Sequence, residues 1–268
     1  MTAFTVQGDG VTLHGDDDGE GAPIVLLHGL SATRRYVLHG STTLVRDGWR
    51  LIAYDSRGHG ESDAAPAPDA YDYATMVQDA VRVMDDRDVP RAAVVGMSMG
   101  AAVGAALALT HPDRVRALVA ITPAHLGTPT LDPDKWKRLA DGLLQGGADG
   151  FVDAYGDPGV DPKSLELIRT VMRQRLNRHA HPAAVADCLR CTPAGAAFHG
   201  EDALRQITSP TLVIGSRDRL DPEHPIRIAE RWAELIPGAE FLVEDDGESP
   251  LAWRGGSLSR AIAAFLAG

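Results

Sequence analysis

Short apolar runs alternate with helix-patterned segments along most of this chain. Val and Ile dominate the runs, and Gly or Pro closes each one, as is typical of strands buried in a parallel sheet. Because parallel strands need a crossover connection, usually a helix, between them, this alternation predicts an α/β fold with a mostly parallel central sheet flanked by helices. The predicted strands lie within residues 23–29, 50–63, 92–100, 115–124, 209–218 and 240–247.

The alternation is interrupted between residues 125 and 205, where helical patterns occur without a convincing strand. We therefore expect residues 1–124 and 206–268 to form the α/β core, and residues 125–205 to form a helical cap over the carboxyl edge of the sheet. Core helices are predicted at 72–86, 100–110, 225–236 and 256–267, and cap helices at 134–145, 162–178 and 181–190.

Length and charge narrow the classes of function. A chain of 268 residues with 44% hydrophobic residues can bury a full core without cross-links. The net charge of −11 argues against nucleic acid and against anionic membrane surfaces. No signal peptide and no membrane-spanning apolar stretch is found, which predicts a soluble cytoplasmic protein. Dinucleotide and P-loop patterns are missing, so no cofactor is expected, and the sequence specifies no oligomeric state.

Gly96-Met97-Ser98-Met99-Gly100 is the strongest catalytic pattern in the sequence. It lies where a predicted strand turns into a helix, and glycines two residues on either side of the serine suit a turn with closely packed backbones. The hydroxyl would then be exposed at a helix N-terminus, where the helix dipole favours negative charge. The pattern predicts Ser98 as a nucleophile; the alternative is a strand–helix turn that merely contains a serine.

His28-Gly29-Leu30 follows the first predicted strand, and the chain turns there so that a backbone N–H faces the serine. Stabilising an oxyanion requires two such donors aimed at the developing charge. The predicted pair is the N–H of Leu30 and the N–H of Met99. We expect the His28 ring to brace this loop rather than to transfer protons.

A carboxylate is expected from GSRDRLDP, residues 215–222. Asp218 follows the strand TLVIG, and a carboxylate at the carboxyl end of a strand can orient a catalytic histidine. Asp221 competes for this role, but its Asp-Pro context suits a turn or a helix start. We therefore predict Asp218 as the acid.

In combination these motifs resemble the α/β-hydrolase superfamily. The His-Gly turn, the DSRGHGESD loop (55–63), GMSMG, the helical insertion and the GSRD loop occur in the expected order, and the resemblance covers nearly the whole chain. Within the superfamily the chain is similar to capped esterases, enol-lactonases and C–C hydrolases. The resemblance implies a Ser–Asp–His triad with Ser98 as nucleophile, Asp218 as acid and a histidine in the loop after the last strand.

The chain departs from the family at that histidine. Relatives typically read Gly-His-x-Pro in this loop, whereas this chain reads GESP at 247–250, which places Glu248 at the histidine position. If Glu248 lies beside Asp218, the two carboxyl groups would titrate as a unit and one of their pKa values would be raised, because two carboxylates sharing a site do not both ionise easily. Glu248 would then be a competent base. Alternatively, Glu248 pairs with Arg217 or Arg219 and holds the loop.

A histidine supplied from elsewhere is a third alternative, because no histidine occurs downstream of His224. His125 is the first candidate, since it comes just after a predicted strand end. The other candidates are His199 at the back of the cap, His59 in the RGHG loop, and His39 in a helix expected after the oxyanion turn.

Cys188 and Cys191 form a C-x-x-C pair, which suits a redox dithiol or, together with His179 and His181, a zinc site. The two cysteines do not open a helix after a strand, as a redox dithiol normally does. The gap between the histidine pair and the cysteine pair is shorter than usual zinc-site spacings. We expect two ordinary helix cysteines and no metal site.

The sequence thus predicts a hydrolase with an altered triad, which cleaves an ester, lactone or thioester of a small, fairly apolar molecule through Ser98, with Glu248 in place of histidine. One alternative is a lyase or cyclase that uses Glu248 as acid or base. Another is a degenerate hydrolase that binds a ligand without turnover. The candidates for the apolar pocket wall are Trp136, Leu143, Leu144, Phe151 and Tyr155.

Overall fold

The computed structural model describes residues 1–129, 132–218, 220–221, 223–245 and 253–268. The strands are β1 (Thr2–Gln7), β2 (Thr12–Asp18), β3 (Pro23–Leu27), β4 (Arg50–Tyr54), β5 (Ala92–Met97), β6 (Val115–Ile121), β7 (Thr211–Ile214) and β8 (Glu240–Leu242). The described residues form one eight-stranded sheet in the order β1-β2-β4-β3-β5-β6-β7-β8. Strand β2 pairs antiparallel with both β1 and β4. The remaining neighbours in the sheet, from β4 through β3 to β8, pair in parallel.

The helices are α1 (Thr43–Arg46), α2 (Tyr73–Asp86), α3 (Met99–Thr110), α4 (Pro133–Tyr155), α5 (Pro162–Leu176), α6 (Pro182–Cys191), α7 (Ile226–Leu235) and α8 (Gly255–Ala267). Short 3-10 turns occur at Arg34–Tyr36, Pro112–Arg114, Thr192–Ala194 and Glu201–Gln206. Across the described ranges, no helix combines the length and the apolar character that crossing a bilayer requires.

The predicted α/β fold class is confirmed, and all six predicted strands are present as β3 to β8. The structure adds the antiparallel strands β1 and β2, which the sequence pattern did not indicate. In β1 only Phe4 and Val6 are buried, and β2 is mainly polar. The edge strand β1 and its antiparallel neighbour β2 therefore lack the continuous apolar run that marks a central parallel strand.

The sheet is covered on both faces because its central strands bury alternate residues in two different cores. In β3, Val25 and Leu27 belong to a core that includes residues of α2, α3 and α7, whereas Ile24 and Leu26 belong to a second core with residues of α1 and α8. Alternate side chains of a strand point to opposite faces, so each core covers one face of the sheet.

Strands β3, β5, β6 and β7 pair in parallel. Their carboxyl ends therefore meet at one edge of the sheet, where α/β proteins bind their ligands.

Helices α4, α5 and α6 lie between β6 and β7 and have a core of their own, to which Leu143 and Phe151 belong, whereas Leu144 is 51% exposed. Each of these helices begins with proline at its first position, and an aspartate caps α4 and α5. Helix α4 extends beyond the predicted 134–145, with a kink at Gly146 and Gly147. Leu30 packs against both this core and the main core, so the insertion contacts the turn after β3.

Candidate active site

Ser98 lies in the turn between β5 and α3 with φ 54° and ψ −113°, a conformation that non-glycine residues rarely adopt. Close backbone contacts enforce this turn. A Cβ on Gly96 would lie 2.1 Å from the Gly100 oxygen, and a Cβ on Gly100 would lie 2.1 Å from the Leu27 oxygen. The Ser98 N–H donates to the Ile121 oxygen at 2.9 Å. The two glycines are therefore needed for the sharp turn that presents the hydroxyl.

His224 is the side chain that the structure brings to Ser98. Its Nε2 lies 2.7 Å from Ser98 Oγ, and its Nδ1 lies 2.7 Å from Asp221 Oδ2. His224 and Asp221 belong to one loop, between β7 and α7. A hydroxyl, an imidazole and a carboxylate thus form a continuous hydrogen-bonded chain, which is the arrangement of a Ser–His–Asp triad.

The direction of these hydrogen bonds follows from Asp221. An ionised carboxylate only accepts, so Nδ1 of His224 carries the proton and Nε2 accepts from the Ser98 hydroxyl. Burial by itself raises the pKa of Asp221, but the charge and hydrogen bond of His224 and the charge of Arg175 outweigh it, so this pKa is lowered. The carboxylate is therefore ionised at neutral pH and can stabilise an imidazolium.

Asp218, the acid predicted from the sequence, makes a different contact. Its Oδ1 accepts from the backbone N–H of Leu220 at 2.8 Å, and its own N–H donates to Ser216 Oγ at 3.1 Å. An aspartate that bonds the N–H two residues ahead forms an Asx turn. The turn-forming role that the sequence suggested for Asp221 thus belongs to Asp218, and Asp221 is the carboxylate at the imidazole.

Glu248, predicted to replace the histidine, lies outside the described residues, and so does Arg219. Just before that gap, Glu244 is buried, and its Oε1 accepts from Ser216 Oγ at 2.7 Å and from the Arg217 N–H at 2.6 Å. The Arg217 guanidinium also donates to the Glu244 backbone oxygen. Glu244 therefore ties the chain after β8 to the loop that follows β7.

The turn after β3 passes directly beside Ser98, since a Cβ on Gly29 would lie 3.4 Å from Ser98 Cβ. Met99 is the first residue of α3, where a helix leaves its N–H groups without intrahelical acceptors. In the part of the chain that the structure describes, neither the Leu30 N–H nor the Met99 N–H has a hydrogen-bond acceptor. Among the described residues, neither of the two predicted donors is thus engaged elsewhere.

Three buried histidines support this turn. His28 Nδ1 donates to the Gly29 oxygen at 2.8 Å, so the ring braces the backbone. His59 Nε2 accepts from the Ser31 N–H at 3.2 Å, and His179 Nε2 donates to the Ser31 oxygen at 3.1 Å. Burial lowers the pKa of all three rings. They are therefore neutral near pH 7 and hold the turn through backbone contacts.

The other histidines considered as bases lie in settings that differ from that of His224. His125 is packed between Tyr73 and Phe198, with ring centroids 5.6 Å away in each case, and burial lowers its pKa to about 4. His199 is exposed. The prediction of a helix at His39 is wrong, because this exposed residue lies in a turn with φ 49°.

The loop of Asp221 and His224 is attached to α4. Lys135 Nζ on α4 donates to Glu223, which precedes His224 in sequence. The same ammonium lies 5.7 Å from the ring centroid of Trp136 and 5.9 Å from that of Tyr155. Burial, together with the charges of the Glu223 and Asp221 carboxylates, raises the pKa of Tyr155 to about 12. Two of the predicted wall residues, Trp136 and Tyr155, thus lie beside this loop.

Cys188 and Cys191 are free thiols in α6. Burial raises the pKa of Cys188 well above its ordinary value, which makes it unreactive. His179, which a zinc site would have used, is directed to the Gly60 N–H and the Ser31 oxygen. Among the residues that the structure describes, no group of three or more His, Cys, Asp and Glu side chains is arranged to hold a metal ion.

The fold and the elbow at Ser98 define the class of protein. Residues 22–254 match the sequence model of the family described as the alpha/beta hydrolase fold. The chain belongs to this family and is a hydrolase of the α/β-hydrolase kind.

Relatives align with nearly the whole chain. The Caulobacter segnis protein named "Putative carbamate hydrolase RutD" is 36% identical over 254 residues, which are 90% of this chain and 89% of that protein. Est816, an N-acyl homoserine lactone degrading enzyme, aligns with a TM-score of 0.74 at 28% identity and covers 97% of this chain and 99% of its own. The enol-lactonase of Burkholderia xenovorans LB400 aligns with a TM-score of 0.78 at 24% identity, with 98% and 100% covered, and shows the shared fold.

His224 was missed because the histidine was sought after the last strand and at four other positions. A signal was present, since Asp221-Pro-Glu-His224 lies in the same loop as the predicted acid. A spacing of three residues lets a carboxylate and an imidazole meet across one turn. The family order of serine, then acid, then histidine is also kept.

Proposed function

We propose that the protein is a serine hydrolase whose triad is Ser98, His224 and Asp221, and that it cleaves an ester, lactone, thioester or carbamate of a small molecule. The single observation that carries this proposal is the chain of two 2.7 Å contacts from Ser98 Oγ through His224 to Asp221. The relatives support the substrate class, because one degrades a lactone and another bears the name of a carbamate hydrolase.

In the first half of the reaction, Ser98 Oγ attacks the carbonyl carbon while His224 Nε2 takes the hydroxyl proton. Asp221 stabilises the imidazolium and fixes its orientation. When the tetrahedral intermediate collapses, the bond to the leaving group breaks and the imidazolium returns the proton to that group. An acyl-serine remains, and a water molecule activated by the same imidazole hydrolyses it to release the acid and restore Ser98.

The negative charge of both tetrahedral intermediates develops on the former carbonyl oxygen. We propose that the N–H groups of Leu30 and Met99 bind this oxygen, because both lie beside Ser98 without an acceptor of their own among the described residues. The N-terminus of α3 adds its positive dipole end at the same place. The braced turn after β3 keeps the Leu30 donor in position.

The helical segment within 125–205 acts in this proposal as a cap. Its core packs on Leu30, and its Lys135 binds Glu223 next to the triad histidine. A cap of this kind covers the carboxyl edge of the sheet and shapes the pocket for the acyl group. In this proposal Asp221 takes the place of Asp218 as the acid, and His224 takes the place of Glu248 as the base. The proposed triad is still non-standard, because its histidine comes from the loop after β7 and not from the loop after the last strand.

The test combines fluorophosphonate labelling of Ser98 with turnover of p-nitrophenyl butyrate. We expect Ser98→Ala and His224→Gln to abolish labelling, and Asp221→Asn to lower kcat by about 10³- to 10⁴-fold through loss of the ionised partner and the correct tautomer. The matched control is Asp218→Asn, in the same loop, which should keep kcat within about threefold of wild type because its carboxylate bonds only its own turn in the described contacts.

Glu248→Gln discriminates the alternatives. If it abolishes labelling while His224→Gln does not, Glu248 is the base and the proposed triad is wrong. If the wild-type protein does not react with the probe and turns over no ester, the proposed hydrolase function is wrong, and a lyase or a ligand-binding protein becomes the better interpretation.

A further inference from the structure

Arg175, near the end of α5, reaches from the helical insertion to the turn beside Ser98. Its Nη2 donates to the Leu30 backbone oxygen at 3.2 Å and to Ser31 Oγ at 3.0 Å. The amide N–H of the same Leu30 is one of the two proposed oxyanion donors. The guanidinium therefore lies one peptide unit from the position at which the substrate carbonyl would bind.

The two contacts of Arg175 are with neutral oxygens. In the described part of the chain, no carboxylate lies within ion-pair distance of this guanidinium, and its Nε is fully enclosed with no hydrogen-bond acceptor. The buried Arg57 is different, since its Nε lies 2.7 Å from Asp79 Oδ2. A shielded cation without a counter-ion is unfavourable. Arg175 thus holds an unused positive charge in a chain of net charge −11.

The charge of Arg175 acts on the same space as the triad. Burial lowers the pKa of Arg175, and attraction to the Asp221 carboxylate opposes this effect. Asp221 is occupied by His224, to which it is hydrogen-bonded at 2.7 Å. One cation without an ion-paired carboxylate matches one negative charge on a ligand.

We propose that Arg175 binds a carboxylate of the substrate, so that the preferred substrate is a small carboxylate-bearing ester, lactone or carbamate rather than a neutral one. This inference rests on the proposed hydrolase function and names its substrate class. Binding replaces the missing counter-ion with the charged end of the substrate, while the Leu30 contact aligns that end with the reacting carbonyl. Arg175 acts as a specificity-determining residue, and the triad performs the chemistry.

Two esters with the same leaving group test this role. Wild type should hydrolyse mono-p-nitrophenyl glutarate, which carries a carboxylate at the end of its acyl chain, with a higher kcat/KM than p-nitrophenyl butyrate. Arg175→Gln should lower kcat/KM for the glutarate ester by about 10- to 100-fold, mainly through KM, and should lower it by a clearly smaller factor, with little change in KM, for the butyrate ester, because both esters depend on the turn that Arg175 contacts. Arg175→Lys should retain part of the preference because it keeps the charge.

Arg178→Gln is the matched control, because Arg178 is exposed three residues further on and the variant changes net charge by the same amount. Equal losses on both esters in Arg175→Gln would assign Arg175 to the support of the turn and overturn the proposal. A wild-type enzyme that prefers the neutral ester would overturn it as well.

Binding separates this inference from the hydrolase proposal. Calorimetric titration of Ser98→Ala with monomethyl glutarate, which carries a single carboxylate, needs no turnover, and the affinity should fall at least about tenfold in the Ser98→Ala/Arg175→Gln double variant. If fluorophosphonate labels Ser98 but the two variants bind monomethyl glutarate equally, the hydrolase stands and the role of Arg175 is wrong. If labelling fails but binding depends on Arg175, the carboxylate site stands and the hydrolase is wrong.

Discussion

At the scale of single residues, the position of the Ser98 hydroxyl depends on nearby glycines that have no Cβ. Gly100 lies in the first turn of α3, where alanine would normally be the better helix former. A Cβ at this position would lie 2.1 Å from the Leu27 oxygen, and a backbone atom cannot move away without displacing β3. The steric effect therefore outweighs helix propensity here.

Gly100→Ala should lower the free energy of unfolding by about 2–3 kcal/mol and reduce turnover, because overpacking of this kind displaces the elbow. The measurement is urea denaturation together with p-nitrophenyl butyrate hydrolysis. Gly256→Ala in α8 is the control: among the described residues its Cβ would meet only Arg260 Nη1, at 3.6 Å, so we expect an increase in stability of about 0.5–1 kcal/mol. Equal stabilities of the two variants would contradict the close packing of the elbow.

At the scale of secondary-structure elements, one connection supplies two of the three residues of the proposed triad. The loop between β7 and α7 contains both Asp221 and His224, and the Lys135 ammonium on α4 anchors it through Glu223. The side chains of Lys135 and Glu223 are 24% and 31% exposed, so the ion pair is only partly screened by solvent. Helix α4 thus contacts the loop that contains His224, the proposed base.

Lys135→Met should lower kcat by about 3- to 10-fold, because loss of the anchor lets the imidazole leave the Ser98 hydroxyl for part of the time. The labelling rate of Ser98 by fluorophosphonate should fall in parallel. Lys137→Met on the same helix, which removes the more exposed pair with Asp141, should leave both rates unchanged. An unchanged labelling rate in Lys135→Met would show that the loop holds its shape without α4.

The elements of the core could be predicted because their signals are local. Continuous apolar runs mark β3 to β8, and the GMSMG pattern requires the turn at Ser98. The histidine could not be found in the same way, because its partnership with Ser98 joins residues 126 positions apart. Only the folded sheet brings the ends of β5 and β7 to one edge with a single strand between them. The choice between Asp218 and Asp221 depended on which one closes its own turn, and local spacing allowed both.

At the scale of the whole molecule, the helical insertion and the core are joined by a buried histidine. His179, between α5 and α6, accepts from the Gly60 N–H at 2.8 Å through Nδ1 and donates to the Ser31 oxygen at 3.1 Å through Nε2. Its ring lies 5.5 Å from that of His59, which in turn lies 5.1 Å from that of His28. The loop after β4, the turn after β3 and the insertion therefore share one neutral polar cluster.

This cluster makes the stability of the fold dependent on pH. Burial lowers the pKa of His179 from 6.5 to about 4, so between these values the unfolded chain binds the proton and the folded chain does not. The contribution of His179 to stability is therefore complete above pH 6.5 and is lost as the pH falls towards 4, by about 3 kcal/mol over that range. His125 should act in the same direction, because burial lowers its pKa to about 4 as well.

We expect the free energy of unfolding, measured by urea denaturation, to be nearly constant above about pH 7 and to fall steeply below pH 6.5. His179→Asn should be less stable than wild type at neutral pH, because an amide fills less of the site. In acid its free energy of unfolding should fall less steeply with pH, because unfolding takes up close to one proton fewer than in wild type. His199→Asn, at an exposed position, should keep the wild-type slope. A His179→Asn variant with the wild-type slope would mean that the proton uptake on unfolding in acid comes from other groups.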